Sequence, residues 1–230
     1  MTTEQLANAL ERLEVTAARL DGVSRTFAEI DEDPTATYAG ADPEGAVTVE
    51  VDRRGVVQAV RVADDWRARV GADGLGPAVL TARAAASQAR VDAWSTAAEE
   101  AHERIEAGVA VAAAPAGAPR RSSAETDELL SALAAARAER EAYAAAATAA
   151  RAAEVVGSNP DGKVRAVFSG GLPIRIEIDS EWLTFASTSA LGGGIRAALE
   201  AGRAEREAAL AQQRAAFPGV AALRALLGTS

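Results

Sequence analysis

The sequence predicts an α+β protein made of two α-β-β-α (helix–hairpin–helix) units. Their hairpins are expected to pair into one antiparallel sheet with projecting helices. Three observations predict this. The stretch from Ala46 to Ala86 returns 116 residues later without gaps, so that Gly55 falls on Gly171, Trp66 on Trp182, Leu75 on Leu191, Gly76 on Gly192 and Ala82 on Ala198. Within each copy, apolar residues alternate with period two on both sides of a glycine turn, the pattern of a half-buried hairpin. Around the hairpins the chain is rich in alanine: 49% of residues are hydrophobic but only 4% are aromatic. Such a core favours closely packed helices over a large sandwich.

The elements follow in order. Glu4 to Ile30 reads as a helix, because Leu6, Leu10, Leu13, Ala17, Leu20, Ser24 and Phe27 recur at spacings of 4 and 3. Thr3 is placed to cap it and Glu4 suits its first turn. The Leu6–Leu13–Leu20–Phe27 seam needs a partner, since a single amphipathic helix is marginal in water. It serves either as a contact with a protein partner or homodimer mate, or as packing within its own domain. Asp31 to Gly45, DEDPTATYAGADPEG, has loop chemistry. Val47, Val49 and Val51 then alternate with Thr48, Glu50 and Asp52, and Val56, Val60 and Val62 follow the turn at Gly55. Trp66 is expected to cover the open end of the sheet. Pro77 is expected in the first turn of a helix running to Gly108, where its missing N–H costs nothing.

Residues 108–122, GVAVAAAPAGAPRRS, form an Ala/Pro/Gly linker and the boundary between a first unit (1–107) and a second (123–217). The second unit opens with a helix from Ser123 to Val156, followed by the break VGSNPDG. One strand face holds Val164, Ala166 and Phe168. After the Gly170–Gly171 turn, Leu172, Ile174, Ile176 and Ile178 alternate cleanly. Pro173 lacks a backbone donor, which predicts an edge position. A last helix covers Ser189 to Ala216, with Gly192, Gly193 and Gly194 as a flexible start. Residues 218–230 are left as a tail with a short helix over Val220 to Leu227.

Charge and reactive residues narrow the chemistry. Net charge is −9. Residues 1–107 carry 20 acidic and 11 basic side chains, and residues 108–230 carry 13 of each, so the acidic excess lies in the first half. Without cysteine the chain forms no disulfide and no thiolate metal site. No signal-type segment and no run of about 18 apolar residues occurs, which predicts a cytoplasmic protein with no membrane contact. Asp31, Glu32 and Asp33 lack metal-ligand spacing and read as a solvated helix end. His102 is the only histidine and stands among glutamates. The three glycines from Gly192 lack the GxxxxGK[ST] spacing of a phosphate loop. With no nucleophile–base pair either, no enzyme, cofactor or metal is expected.

The pattern GAVTVEVDRRGVVQAVRVADDWR followed by LGPAVLTARAAASQA resembles the YbaB/EbfC family of bacterial nucleoid-associated proteins. The resemblance covers residues 1–107 and, less fully, 123–214. It implies α–β–β–α units that pair their hairpins, with helices that act as arms on DNA. Two copies in one chain imply an intrachain pseudo-dimer located at the nucleoid, although a homodimer is also compatible with the pattern. The positions expected to contact phosphates are Arg137, Arg140 and Arg151 on the first helix of the second unit. Arg196, Arg203, Arg206 and Arg214 on its last helix join them, with Arg53 and Arg54 at the first turn. The competing reading pairs these arginines with Glu200, Glu205 and Glu207 on the same helix. A second functional expectation is a protein-interaction or structural module, of secretion-accessory type, that kept the fold and lost DNA.

Overall fold

The computed structural model describes residues 35–106 and 123–226. The expected helix at Glu4 to Ile30 with its leucine seam, the Asp31–Asp33 cluster and the linker lie outside the described residues. The described chain is α+β, with two three-stranded antiparallel sheets. The first sheet holds β1 (Thr37–Ala41), β2 (Val47–Asp52) and β3 (Val57–Val62). A helical turn, α1 (Trp66–Arg69), and a long helix, α2 (Gly71–Glu106), follow. Then come α3 (Ser123–Ala152), the strands β4 (Val155–Ser158), β5 (Val164–Ser169) and β6 (Leu172–Ile178), and the helices α4 (Ser180–Phe185), α5 (Thr188–Ala215) and α6 (Pro218–Leu226).

Both hairpins form where alternation placed them. Val47, Val49 and Val51 are fully buried, as are Val164 and Ala166. The turns differ in length: Ser169 pairs with Leu172 around Gly170 and Gly171, both at positive φ, whereas Val51 pairs with Val57 across a longer loop. Each sheet also has an unexpected strand: β1 lies in the expected loop, and β4 takes the expected helix end at Val155 and Val156 together with the start of the break, because α3 stops at Ala152. β1 and β4 are short and carry Gly40 and Gly157 in their interiors, which lowers strand propensity. These glycines have a packing reason. A Cβ on Gly40 would collide with the α2 backbone at Ala82–Ala86, and one on Gly157 with the α5 backbone at Ala198–Gly202.

The link from β1 to β2 and that from β4 to β5 share one design, Asp42-Pro43-Glu44-Gly45 and Asn159-Pro160-Asp161-Gly162. The side-chain oxygen of Asp42 accepts from Val47 N at 2.6 Å, and that of Asn159 from Val164 N at 2.9 Å. Both residues are buried, and both closing glycines stand at positive φ. A buried polar side chain is tolerated here because a backbone donor satisfies it.

The single joined sheet is corrected. β3 and β6 are edge strands of separate sheets. Each edge is covered by the long helix of the other unit, since α5 packs on β3 as well as on β4 and β5, and α2 packs on β6 as well as on β1 and β2. Gly192 brings α5 against the carbonyl of Val60, and Gly76 brings α2 against the carbonyl of Ile176. Covering an edge with a helix removes the same pairing hazard that joining two hairpins would remove. The three glycines of α5 are therefore part of a regular helix and not a flexible start: Ser187 caps it, accepting from Ala190 N at 3.2 Å. One core cluster runs through both units, from Val47 and Trp66 to Val164 and Leu191.

Three further expectations change. The face of β6 does not run through Leu172 and Ile174, which are 61% and 46% exposed, because the register shifts between Val167 and Phe168 and turns Pro173 inward. Pro173 does lie on an edge strand, as expected. Pro77 is not in a first turn, because α2 starts at Gly71 and runs through it. The short helix expected over Val220 to Leu227 forms as α6, Pro218–Leu226, but it is docked on α3 and not carried on a tail. Tyr143 meets Phe217 edge-on at 5.4 Å, and the Glu139 carboxylate accepts from Gly219 N and Val220 N, each at 3.1 Å.

Candidate nucleic-acid interface

The nine arginines expected at phosphates fall into three groups. Arg137, Arg140 and Arg151 lie on α3 and are exposed. At about 100° per residue the three fall within roughly 60° of one another around the helix axis. Among the described residues none of the three forms an ion pair. The same helix turns Ala132, Glu139 and Tyr143 toward α6, so its arginine face stays clear of that contact.

The α5 arginines are differently placed. Arg196 Nη1 lies 3.1 Å from Glu200 Oε2, and Arg203 Nε lies 2.8 Å from Glu207 Oε1, both at (i, i+4) spacing. Such exposed pairs are worth only about 0.3–0.5 kcal/mol, but they lower the positive potential that α5 presents. Arg214 Nε donates to the Leu210 carbonyl at 3.3 Å. The Arg206 guanidinium occupies the space where a side chain on Gly171 would stand, so it lies over the β5–β6 turn. At the first hairpin, Arg54 is exposed and its amide donates to Asp52 Oδ1 at 2.9 Å. Arg53 is half-buried, and its carbonyl accepts from Arg90 Nη1 at 3.3 Å. The structure thus gathers the α3 set on one face of its helix, whereas two of the α5 set are paired with glutamates of their own helix.

Arg90 was missed by the sequence reading although a signal existed. It stands 116 positions before Arg206, and each guanidinium packs against the hairpin turn of its own unit, Gly55 or Gly171. Arg83 was missed as well. It aligns with Leu199, is half-buried, and its pKa is lowered by desolvation. At the sheet ends, Asp179 caps α4 by accepting from Trp182 N at 2.7 Å and pairs with Lys163 at 3.2 Å. The Trp182 amide first, and Lys163 after it, hold the Asp179 carboxyl below its usual range.

Among the described residues no group of three or more His, Asp or Glu side chains is arranged to hold a metal ion. No described helix is long and apolar enough to cross a membrane. Comparison with protein-family models, with curated proteins and with solved structures gives no match to this chain.

Proposed function

We propose that the protein is a non-enzymatic DNA-binding protein of the YbaB/EbfC type, acting as a pseudo-dimer within one chain. It contacts the phosphate backbone with little sequence preference, and α3 is the contacting arm. The observation that carries this reading is the exposed face of Arg137, Arg140 and Arg151. Residues 137 and 151 are 14 positions apart, a rise of about 21 Å along a helix. That matches roughly six base pairs of duplex at about 3.4 Å per pair. The α5 arginines contribute less, because Glu200 and Glu207 hold two of them. Phosphate contacts of this kind position a protein without reading bases.

Fluorescence anisotropy with a labelled 30-base-pair duplex tests the proposal. Binding is expected at about 50 mM salt, with log K falling against log salt at a slope near −3 for three phosphate contacts. The Arg137→Gln, Arg140→Gln, Arg151→Gln triple variant should lose it. Binding that survives the triple variant, or its absence from the unaltered protein, sinks the proposal.

One observation favours a second reading, a protein-interaction module. The acidic excess of the first half and the paired arginines of α5 leave much of the surface unsuited to a polyanion. A partner captured on the intact protein after nuclease treatment, together with no duplex binding, selects this reading over the first.

A further inference from the structure

Between the two hairpin turns lies a cavity of about 290 Å³, bordered by Gly55 from one unit and Gly171 from the other. It is at the small end of the size range of small-molecule sites, about 300 Å³ and upward. Its lining is not symmetric. The first unit contributes Arg54 and Arg83, and the second contributes Arg203 and Arg206. Phe168, Leu199 and Leu210 supply apolar wall. Two carboxylates, Glu200 and Glu207, also border it, but each is already engaged by an arginine of its own helix, Arg196 and Arg203.

Arg83 stands out among these. Its side chain is half-buried, and among the described residues it forms no hydrogen bond or ion pair. Arginine stays charged in proteins, and partial burial weakens the hydration of this one, so an anion beside it is favoured. The residue at the equivalent position of the second unit is Leu199, which also lines the cavity. The two copies have thus diverged at this position, an arginine in one and a leucine in the other, and both residues line one space. A ligand with an anionic group and an apolar body would meet the unpaired charge and the apolar lining together.

We propose that this cavity binds a small organic anion, a compact apolar body carrying one sulfonate, carboxylate or phosphate group. The anionic group is held by Arg83, and the body lies against Phe168, Leu199 and Leu210. The site is separate from the arginine face of α3, so it stands whether or not the protein binds DNA.

Two probes with the same aromatic body, one charged and one neutral, test it on the full chain. These are 8-anilinonaphthalene-1-sulfonate and N-phenyl-1-naphthylamine, followed by fluorescence titration, with stoichiometry from calorimetry. The sulfonate should bind once per chain and about tenfold more tightly than the neutral probe, the effect of one charge-assisted contact. Arg83→Leu should cost the sulfonate about tenfold and change the neutral probe by less than twofold. If Arg83→Leu fails to give a native circular-dichroism melt, Arg83→Gln takes its place with the same expectation. Equal affinity for the two probes, several sulfonate probes per chain, or sulfonate binding unchanged by loss of the Arg83 charge each overturns the proposal.

Discussion

Neighbouring glycines in α5 have opposite meanings, and sequence composition cannot separate them. A Cβ on Gly192 would strike the Val60 carbonyl, whereas one on Gly193 meets nothing within 4 Å. Gly193→Ala should therefore stabilise the protein by about 0.7 kcal/mol, since alanine loses less backbone freedom on entering a helix. Gly192→Ala should destabilise it by about 3 kcal/mol, the cost of overpacking against backbone that has no free rotation. Gly157→Ala belongs with Gly192, because the α5 backbone lies against it. Urea denaturation of the three variants checks this, and a Gly192→Ala protein as stable as Gly193→Ala would refute the close approach. The arginines teach the same lesson. Arg203 and Arg140 look alike in sequence, yet one is tied to Glu207 and the other is exposed without an ion pair among the described residues.

At the scale of elements, the hairpins were legible and the third strands were not. Alternating valines bury one face of β2 whatever lies beyond it, so period two is a local signal. β1 and β4 have little such signal, because a glycine stands where the facing helix passes. The repeated Asx-Pro-acid-Gly link, offset by 117 residues and not 116, marks both turns and was available in the sequence. The helix α6 illustrates a dependence on distant partners. Its first amides at Gly219 and Val220 are satisfied by Glu139, about eighty residues away. Glu139→Ala should cost about 1 kcal/mol of α6 docking, as for loss of an N-terminal cap. Hydrogen exchange at the amides of residues 219–222 should then quicken, with the β2 and β5 amides unchanged. No change at α6 would mean that Tyr143 and Phe217 hold the helix alone.

Across the whole molecule, the two units exchange equivalent contacts: Gly76 on the Ile176 carbonyl and Gly192 on the Val60 carbonyl. Arg67 also donates to the Leu183 carbonyl, and Thr188 Oγ1 to Asp64 Oδ1 at 3.2 Å, so the joint has a polar margin. Since both units share one core cluster, they are expected to unfold in one transition. Light scattering should give a mass near 23.5 kDa, since the joint is made within one chain. Two separated unfolding transitions would refute the shared core, and a stable mass of about twice that value would show a further contact between chains.

The face of β6 followed from a register shift, but the sequence by itself determined the α+β class, the doubling, the buried face of β2 and the turn residues. Each of these depends on periodicity or on neighbours within a few positions, and Trp66 and Trp182 follow their hairpins at the same place in each copy. Only the tertiary structure decided that the hairpins stay in separate sheets, that each edge is closed by the other unit's helix, and which arginines are tied to a glutamate of their own helix. Those outcomes turn on which backbone surfaces meet. A helix with glycine at its contact, as at Gly76 and Gly192, approaches an edge closely enough to cover it. No pattern within β3 or β6 states whether a strand or a helix arrives there.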